Sequence, residues 1–150
     1  MRMLVADDDP VYRTMLEDLL TEWGFPATIV ADGSAAWDVL RGVNAEGAGA
    51  ASLEEPPPRV ALLDWMMPGL DGFELCRKIR QDPSTRDAYV ILLTGSRRKD
   101  EMIKVLVAGA DDYLIKPFDP LDLRIRLRAA RRILELQKEL ATARGEVAIQ

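Results

Sequence analysis

Carboxylate side chains come directly after two short apolar runs of the sequence. Asp7 and Asp8 follow the run at residues 3–6, and Asp64 follows the run at residues 60–63. Carboxylates gathered in one place repel each other strongly unless protons or a cation neutralise them. Because oxygen ligands select hard ions and Mg²⁺ needs only one or two protein carboxylates, these residues predict a Mg²⁺ site. We expect Asp8 and Asp64 to contact the ion directly, with Asp7 acting through water or as the closer ligand of the pair.

A hydroxyl and an ammonium group follow two further apolar runs. Thr94 comes after residues 89–93, and Lys116 comes after residues 112–115. A carboxylate can attack phosphorus to form an acyl phosphate, and such transfer depends on positioning and charge neutralisation more than on proton chemistry. We therefore predict phosphoryl transfer to a carboxylate, with Lys116 pairing with phosphoryl oxygens and Thr94 hydrogen-bonded to another. The sequence contains no histidine, which fits this chemistry and excludes imidazole bases, histidine metal ligands and Ser/His/Asp triads.

The elements that must position these residues alternate between two patterns. Short apolar runs at residues 3–6, 27–31, 60–63, 89–93 and 112–115 predict five strands of a parallel sheet covered on both faces. Amphipathic stretches predict helices at about residues 10–23, 34–41, 73–81 and 99–108, with Asp9 as the cap of the first. This alternation indicates a doubly wound α/β fold, in which ligands bind at the carboxyl ends of the strands.

Two segments depart from the alternation. Residues 42–59, with Gly, Ala, Glu and three successive prolines, predict a flexible surface loop rather than a domain boundary. A last helix is predicted from about residue 119, with no breaker until Gly145. It carries a heptad seam, which predicts a partner helix; the alternatives are an amphipathic end laid over its own domain or a frayed end. The seam consists of Ala129, Ile133, Leu136, Leu140, Ala143 and Val147.

Length, charge and cysteine content restrict the class of protein. A chain of 150 residues is long enough for one domain with its own core. Its apolar runs are too short to span a membrane, no secretory signal is recognisable and Cys76 stands alone, so we expect a cytoplasmic protein without disulfides or a membrane partner. The net charge of −5 disfavours direct binding to nucleic acid.

Four motifs in order carry a resemblance to a known family. They are LVADDDPVYR at residues 4–13, LDWMMPGLDGFE at 63–74, ILLTG at 91–95 and GADDYLIKPF at 109–118. In sequence and spacing they resemble the receiver domains of two-component response regulators, the CheY-like family, over residues 3 to about 132. The segment at residues 42–59 is longer than the corresponding segment of most receivers but leaves the motifs undisturbed.

The resemblance implies a fold and a set of site residues. The fold is a flavodoxin-like, five-stranded parallel sheet in the order 2-1-3-4-5 with helices on both faces, to which the predicted long helix adds a C-terminal extension. Asp64 becomes the phosphoacceptor. The Mg²⁺ site is then formed by Asp7, Asp8, Asp64 and the backbone carbonyl of Met66.

The resemblance also implies a switch. Thr94 and Lys116 match the family's switch and phosphate-contacting residues. Tyr113 occupies the aromatic switch position, where an inward or outward rotamer is linked to Thr94. A cis peptide is expected between Lys116 and Pro117.

The function implied is that of a response regulator receiver in a two-component phosphorelay. A sensor histidine kinase or phosphotransfer protein donates the phosphoryl group to Asp64, and the surface around the fourth and fifth helices changes its affinity for a partner. Such a protein catalyses its own phosphorylation and dephosphorylation and is otherwise not an enzyme. We assign residues 1–132 to the receiver domain and residues 133–150 to a helical or coiled-coil extension that could form a homodimer.

Two other interpretations remain open. The chain could be the N-terminal input domain of a larger regulator with a cyclase, phosphodiesterase or kinase output, since its seam resembles the linker helices of such proteins. A phosphohydrolase of the haloacid dehalogenase type also combines an aspartyl nucleophile, Mg²⁺ and a lysine, and Asp7 and Asp9 supply its Asp-x-Asp pair. The later spacing and the Lys-Pro-Phe motif fit that family poorly.

Overall fold

The computed structural model describes residues 1–42 and 57–143. Most of the predicted loop at residues 42–59 lies outside the described residues, as do Gly145 and Val147 of the predicted tail. The described part divides into two compact units, residues 1–117 and the part from residue 118 onward. The predicted boundary at residue 132 stays a prediction.

Five parallel strands form one sheet. They are β1 (Met3–Ala6), β2 (Ala27–Val30), β3 (Val60–Asp64), β4 (Tyr89–Thr94) and β5 (Asp112–Ile115). Their order is β2-β1-β3-β4-β5, which confirms the predicted flavodoxin-like topology. Every residue of β1, β3 and β4 is buried. This burial explains why these strands read as continuous apolar runs, since helices cover a parallel sheet on both faces.

Four helices lie within the described residues of the first unit. They are α1 (Pro10–Glu22), α2 (Gly33–Leu40), α3 (Gly72–Gln81) and α4 (Lys99–Val107). Aspartates cap the first three, because Asp9, Asp32 and Asp71 each accept a hydrogen bond from a backbone N–H of the first turn. The predicted capping role of Asp9 is therefore confirmed. Gly24, which follows α1, has a φ of 81°, a backbone conformation that glycine adopts readily.

Alternate strand residues point to opposite faces of the sheet and so build two layers of core. Leu4, Leu63 and Leu92 lie in a cluster with buried side chains of α2, α3 and α4, including Leu75 of α3. Cys76 belongs to this cluster, as expected for a small buried hydrophobe. The helix α1 lies against β1 and β2 and buries Leu16 and Leu20 outside that cluster. Helices therefore cover both faces of the sheet.

As far as residue 143, where the description ends, the second unit consists mainly of a long helix, α5 (Pro120–Ala143), of 24 residues. This length confirms the predicted extended helix at the C-terminal side. Its buried residues repeat at spacings of four, three and four: Leu123, Leu127, Ala130 and Leu134. The described members of the predicted heptad seam are a different set and are exposed, as Ile133, Leu136 and Leu140 have exposed fractions of 40%, 50% and 52%.

Candidate functional site

Three carboxylates meet at the carboxyl edge of the sheet. The register pairs Ala6 with Leu63, so Asp7 and Asp64 leave neighbouring strands side by side. One carboxylate oxygen from each of Asp7, Asp8 and Asp64 lies within 4.8 Å of the others. Asp7 is fully buried, Asp64 is 8% exposed and Asp8 is exposed. The structure thus brings together the three aspartates that the sequence nominated for a metal ion, with one of them open to solvent.

Lys116 reaches this cluster from the end of β5. Its Nζ lies 2.7 Å from Oδ2 of Asp7 and 3.3 Å from Oδ1 of Asp64. Only 14% of the lysine side chain is exposed, so its charge acts in a partly desolvated environment, where electrostatic interactions are stronger than in water. The candidate phosphate-contacting residue is therefore held directly at the candidate phosphoacceptor.

The two oxygens of Asp7 already accept hydrogen bonds from the protein. Lys116 donates to Oδ2, and the backbone N–H of Asp9 donates to Oδ1 at 2.9 Å. The Asp7 carbonyl oxygen accepts a third bond, from Nη1 of Arg13 at 2.8 Å. Asp8 and Asp64 have more free lone pairs to offer to an ion. This arrangement favours the expectation in which Asp7 acts through water.

The charges of the cluster do not balance. When all three aspartates are ionised, their negative charges exceed the single ammonium charge by two. Burial, and after it the negative charge of Asp7, raises the pKa of Asp64 to about 7, although Lys116 acts in the opposite direction. Burial would lower the pKa of Lys116, but the hydrogen bond to Asp7 and the charges of Asp64 and Asp7 outweigh it, so this pKa is raised. A divalent cation would restore neutrality.

Thr94 ends β4 next to this cluster. It is 5% exposed, and its Oγ1 accepts a hydrogen bond from the backbone N–H of Ser96 at 3.0 Å. Its carbonyl oxygen accepts a bond from the Lys116 N–H at 2.7 Å, which ties the ends of β4 and β5 together. The Thr94 hydroxyl proton remains able to donate, since the observed side-chain bond uses only a lone pair.

The segment after Asp64 is fixed against the start of α3. The Gly72 N–H donates to the Trp65 carbonyl at 2.9 Å, and the Trp65 N–H donates to the Leu93 carbonyl at 2.9 Å. A Cβ atom at Gly72 would overlap the carbonyl oxygen of Asp64, so only glycine fits there. The Trp65 ring stacks on Phe73 with centroids 6.3 Å apart.

Two more nominated residues lie at the same edge of the sheet. The Met66 side chain is 75% exposed, two residues beyond Asp64. Tyr113 is partly buried, and its ring packs against the core cluster. The peptide between Lys116 and Pro117 is cis, as expected. The proposed roles of the Met66 carbonyl and of the Tyr113 rotamer stay predictions.

Sequence reasoning missed two residues of α1 that contact the site. Arg13 binds the Asp7 carbonyl, and the Tyr12 ring lies under the Lys116 ammonium, with Nζ 4.1 Å from the ring centroid. Both follow Asp9, the cap of α1, within its first turns. Their position in the sequence is the signal that could have identified them. Side chains in the first turns of a helix lie close to the end of the strand that precedes it, and this strand ends in aspartates.

Comparison with known proteins decides the family. The family model described as "Response regulator receiver domain" matches residues 3–128. The chain belongs to the response regulator receiver domain family. The CheY-like identity and the two-component context inferred from the four motifs are thereby confirmed.

Receiver domains of named regulators are similar to this chain. The phosphate regulon transcriptional regulatory protein PhoB of Rhizobium meliloti is 41% identical over 131 residues, which are 87% of this chain and 52% of PhoB. The DNA-binding response regulator MtrA of Mycolicibacterium smegmatis is 34% identical over 148 residues, which are 99% of this chain and 58% of MtrA. The chain thus spans about half the length of the curated relatives it matches.

A solved receiver domain is similar in structure as well. The receiver domain of the sensor histidine kinase PA1611 from Pseudomonas aeruginosa has a TM-score of 0.69 and 31% identity, covering 86% of this chain and 95% of that one. Its crystal structure has a magnesium ion coordinated in the active site cleft. Within residues 1–42 and 57–143 of this receiver, no helix has the length and apolar character that crossing a membrane requires.

Proposed function

We propose that this receiver accepts a phosphoryl group on Asp64 from a phosphohistidine of a sensor histidine kinase or phosphotransfer protein. The observation that carries the proposal is the position of the Asp64 carboxylate, in contact with the Lys116 ammonium and beside the oxygens of Asp7 and Asp8. Positioning and charge neutralisation are the main requirements of phosphoryl transfer. The chain itself then acts only in its own phosphorylation and dephosphorylation.

Mg²⁺ is the ion that fits this site. The donor set contains only oxygens, the cluster carries two negative charges in excess when Asp64 is ionised, and Asp8 is open to solvent. Asp8, Asp64 and the Met66 carbonyl would bind the ion, with Asp7 acting through water. The magnesium ion in the PA1611 receiver domain supports this assignment. When bound, Mg²⁺ supplies charge neutralisation at the carboxylate and at the phosphoryl oxygens.

The protein's own residues then have separate tasks in the transfer. An oxygen of Asp64 bonds to phosphorus as the nitrogen–phosphorus bond of the donor breaks, and the donor's imidazole keeps the electron pair. Lys116 pairs with one phosphoryl oxygen, and the Thr94 hydroxyl donates to another. The Thr94 hydroxyl can make this bond while its oxygen still accepts the backbone N–H of Ser96. This new bond is the proposed start of the switch, which Tyr113 follows and which changes the affinity for a partner protein.

The experiment that tests this function uses the phosphoryl donor acetyl phosphate. The chain is incubated with acetyl phosphate in the presence of Mg²⁺ or of EDTA, and its intact mass is measured. We expect a single phosphoryl adduct that requires Mg²⁺ and is absent from the Asp64→Ala variant. The matched control is Asp18→Ala, which removes an exposed carboxylate from α1 and should keep the adduct.

Three results would contradict the proposal. An adduct that persists in Asp64→Ala would place the phosphoryl group elsewhere. No adduct in the unmodified chain would indicate a receiver that has lost its chemistry and serves as a scaffold. Steady turnover of a phosphate ester such as p-nitrophenyl phosphate would instead support the haloacid dehalogenase type of phosphohydrolase.

A second candidate function is that of the input half of a larger regulator. The observation in its favour is the exposed seam of α5, in which Ile133, Leu136 and Leu140 leave an apolar stripe at spacings of three and four. The relatives PhoB and MtrA are about twice as long as this chain, which is consistent with this function. MtrA is described as DNA-binding. Sedimentation with and without the phosphoryl mimic beryllofluoride tests it, because a seam that transmits the signal predicts a phosphorylation-dependent change of mass.

A further inference from the structure

The Lys116 ammonium has a third neighbour besides its two carboxylates. The ring of Tyr12 lies against it, with Nζ 4.1 Å from the ring centroid. The other two contacts are Asp7 at 2.7 Å and Asp64 at 3.3 Å. An ammonium within about 6 Å of an aromatic face is attracted by the negative face of the ring. Two anions and one ring therefore surround a side chain that is only 14% exposed.

The three contacts would not respond equally to phosphorylation. Transfer to Asp64 changes a carboxylate into an acyl phosphate, and Mg²⁺ binding changes the charge that Asp7 presents. The Tyr12 ring keeps its charge distribution throughout. It is the one neighbour of Lys116 in this set whose attraction is independent of the state of the site, and it adds no negative charge that would repel the phosphoryl group.

We propose that Tyr12 is a positioning residue for phosphoryl recognition, its ring holding the Lys116 ammonium at the site while the carboxylates change partners. This inference rests on the proposed function. A lysine side chain has four flexible carbon–carbon bonds, and ordering it costs rotamer entropy. A ring that restricts the ammonium before the phosphoryl group arrives removes part of this cost from the binding step.

The test compares side chains at residue 12 by their affinity for beryllofluoride in saturating Mg²⁺, measured by ¹⁹F NMR. A ring–cation contact in a partly desolvated site is worth about 1–2 kcal/mol, which corresponds to a fivefold to thirtyfold change in Kd. We expect Tyr12→Leu to weaken binding by that factor. Tyr12→Phe and Tyr12→Trp keep a ring and should stay within about twofold of the unmodified chain. An equal loss in Tyr12→Phe and Tyr12→Leu would overturn the proposal, because the hydroxyl would then be the active group.

A double-mutant cycle distinguishes action through Lys116 from a general effect on packing. Lys116→Met keeps the length of the side chain and removes its charge. In that background Tyr12→Leu should no longer change the beryllofluoride affinity. If Tyr12→Leu costs the same with and without the lysine charge, the ring acts by another route and the proposal is wrong.

A matched control comes from the other side of the domain core. Trp37 carries Arg41 and Lys78 at 5.5 and 5.6 Å from its ring, and none of these three is a site residue. Trp37→Leu removes a ring from two cations and should leave the beryllofluoride affinity within twofold. If the unmodified chain fails to bind beryllofluoride, the proposed function is wrong. If it binds and Tyr12→Leu binds equally well, only the role of Tyr12 is wrong.

Discussion

Asp64 experiences opposing influences at the scale of a single residue. Burial and the charge of Asp7 favour its neutral form, whereas Lys116 favours the carboxylate, and the balance leaves its pKa at about 7. A nucleophile must be ionised to attack phosphorus. In the absence of a cation the Asp64 carboxyl is therefore only partly ionised at neutral pH. Its ionised form lowers the stability of the folded protein.

This cost predicts a pH-dependent effect of Asp64→Asn on stability in the absence of metal. The folded-state pKa of about 7 lies above the ordinary value of 3.8, so the folded protein binds the proton more tightly than the unfolded one. The contribution of Asp64 to stability therefore decreases as the pH rises from about 4 to 7 and is least favourable above that range. We expect Asp64→Asn to raise the free energy of unfolding by roughly 1–3 kcal/mol at pH 8, with no gain near pH 4.

Urea denaturation in EDTA across this pH range measures the difference. Asp18→Asn, which alters an exposed carboxylate of α1, serves as the control and should follow the unmodified chain at every pH. A gain for Asp64→Asn that is constant with pH would contradict the explanation.

The exposed thioether of Met66 leads to a second prediction at this scale. Met66 lies two residues beyond the candidate phosphoacceptor and offers an attacking water only a weak hydrogen-bond acceptor. An amide at this position could orient that water, and one such hydrogen bond is worth about 1 kcal/mol. We expect Met66→Asn to speed dephosphorylation by about fivefold, as measured by decay of the phosphoryl adduct in intact-mass spectra. An unchanged rate would mean that the side chain at residue 66 does not control access of water.

At the scale of elements, Arg80 joins α3 to the edge of the sheet near the starts of β4 and β5. Its guanidinium donates to three backbone carbonyls and to one carboxylate at 2.6–2.7 Å: Gly109, Arg86, Ala88 and Asp111. Asp111 in turn accepts the backbone N–H of Val90 at 2.8 Å. One side chain thus donates to acceptors in two separate loops. Arg80 therefore has a structural role, at a place remote from the candidate phosphoacceptor.

Loss of this link should destabilise the domain without changing its chemistry. Arg80→Ala removes the donor from two partly buried carbonyls, those of Gly109 and Ala88, and we expect a loss of about 2–4 kcal/mol in the free energy of unfolding. Arg80→Lys should lose less but remain destabilised, since an ammonium cannot reproduce the planar geometry of the guanidinium. Urea denaturation measures both. Arg77→Ala, an exposed arginine of the same helix, is the control and should change stability by less than about 0.5 kcal/mol.

The elements also show how far sequence reasoning reaches. Strands and helices were predicted to within one residue, because continuous apolar runs and aspartate caps are local signals. The strands β3 and β4 extend to Asp64 and Thr94, since pairing with Leu93 and Ile115 continues one residue beyond the apolar run. The site aspartates, Thr94 and Lys116 were also predicted, because each follows the end of a predicted strand. Contacts such as Arg80 to Gly109 and Tyr12 to Lys116 depend on how distant elements approach, which no local pattern encodes.

For the whole molecule, the seam of α5 predicts self-association. Its apolar side chains are exposed in the single chain, and a two-stranded coiled coil would cover them. We expect sedimentation to detect a dimer that the double substitution Leu136→Asp with Leu140→Asp converts to a monomer. Leu121→Asp, at an exposed leucine of the same helix outside the seam, should leave the dimer intact. A chain that is monomeric at all concentrations would contradict this prediction and favour a seam that binds a different protein.

The bond between Lys116 and Asp7 joins residues that are 109 positions apart. During synthesis the first strand leaves the ribosome long before the last, and contacts between such distant positions form late in folding. A nascent or partly unfolded chain therefore has aspartates but no lysine beside them. Under the proposed function, a chain that has not finished folding would therefore not accept the phosphoryl group efficiently.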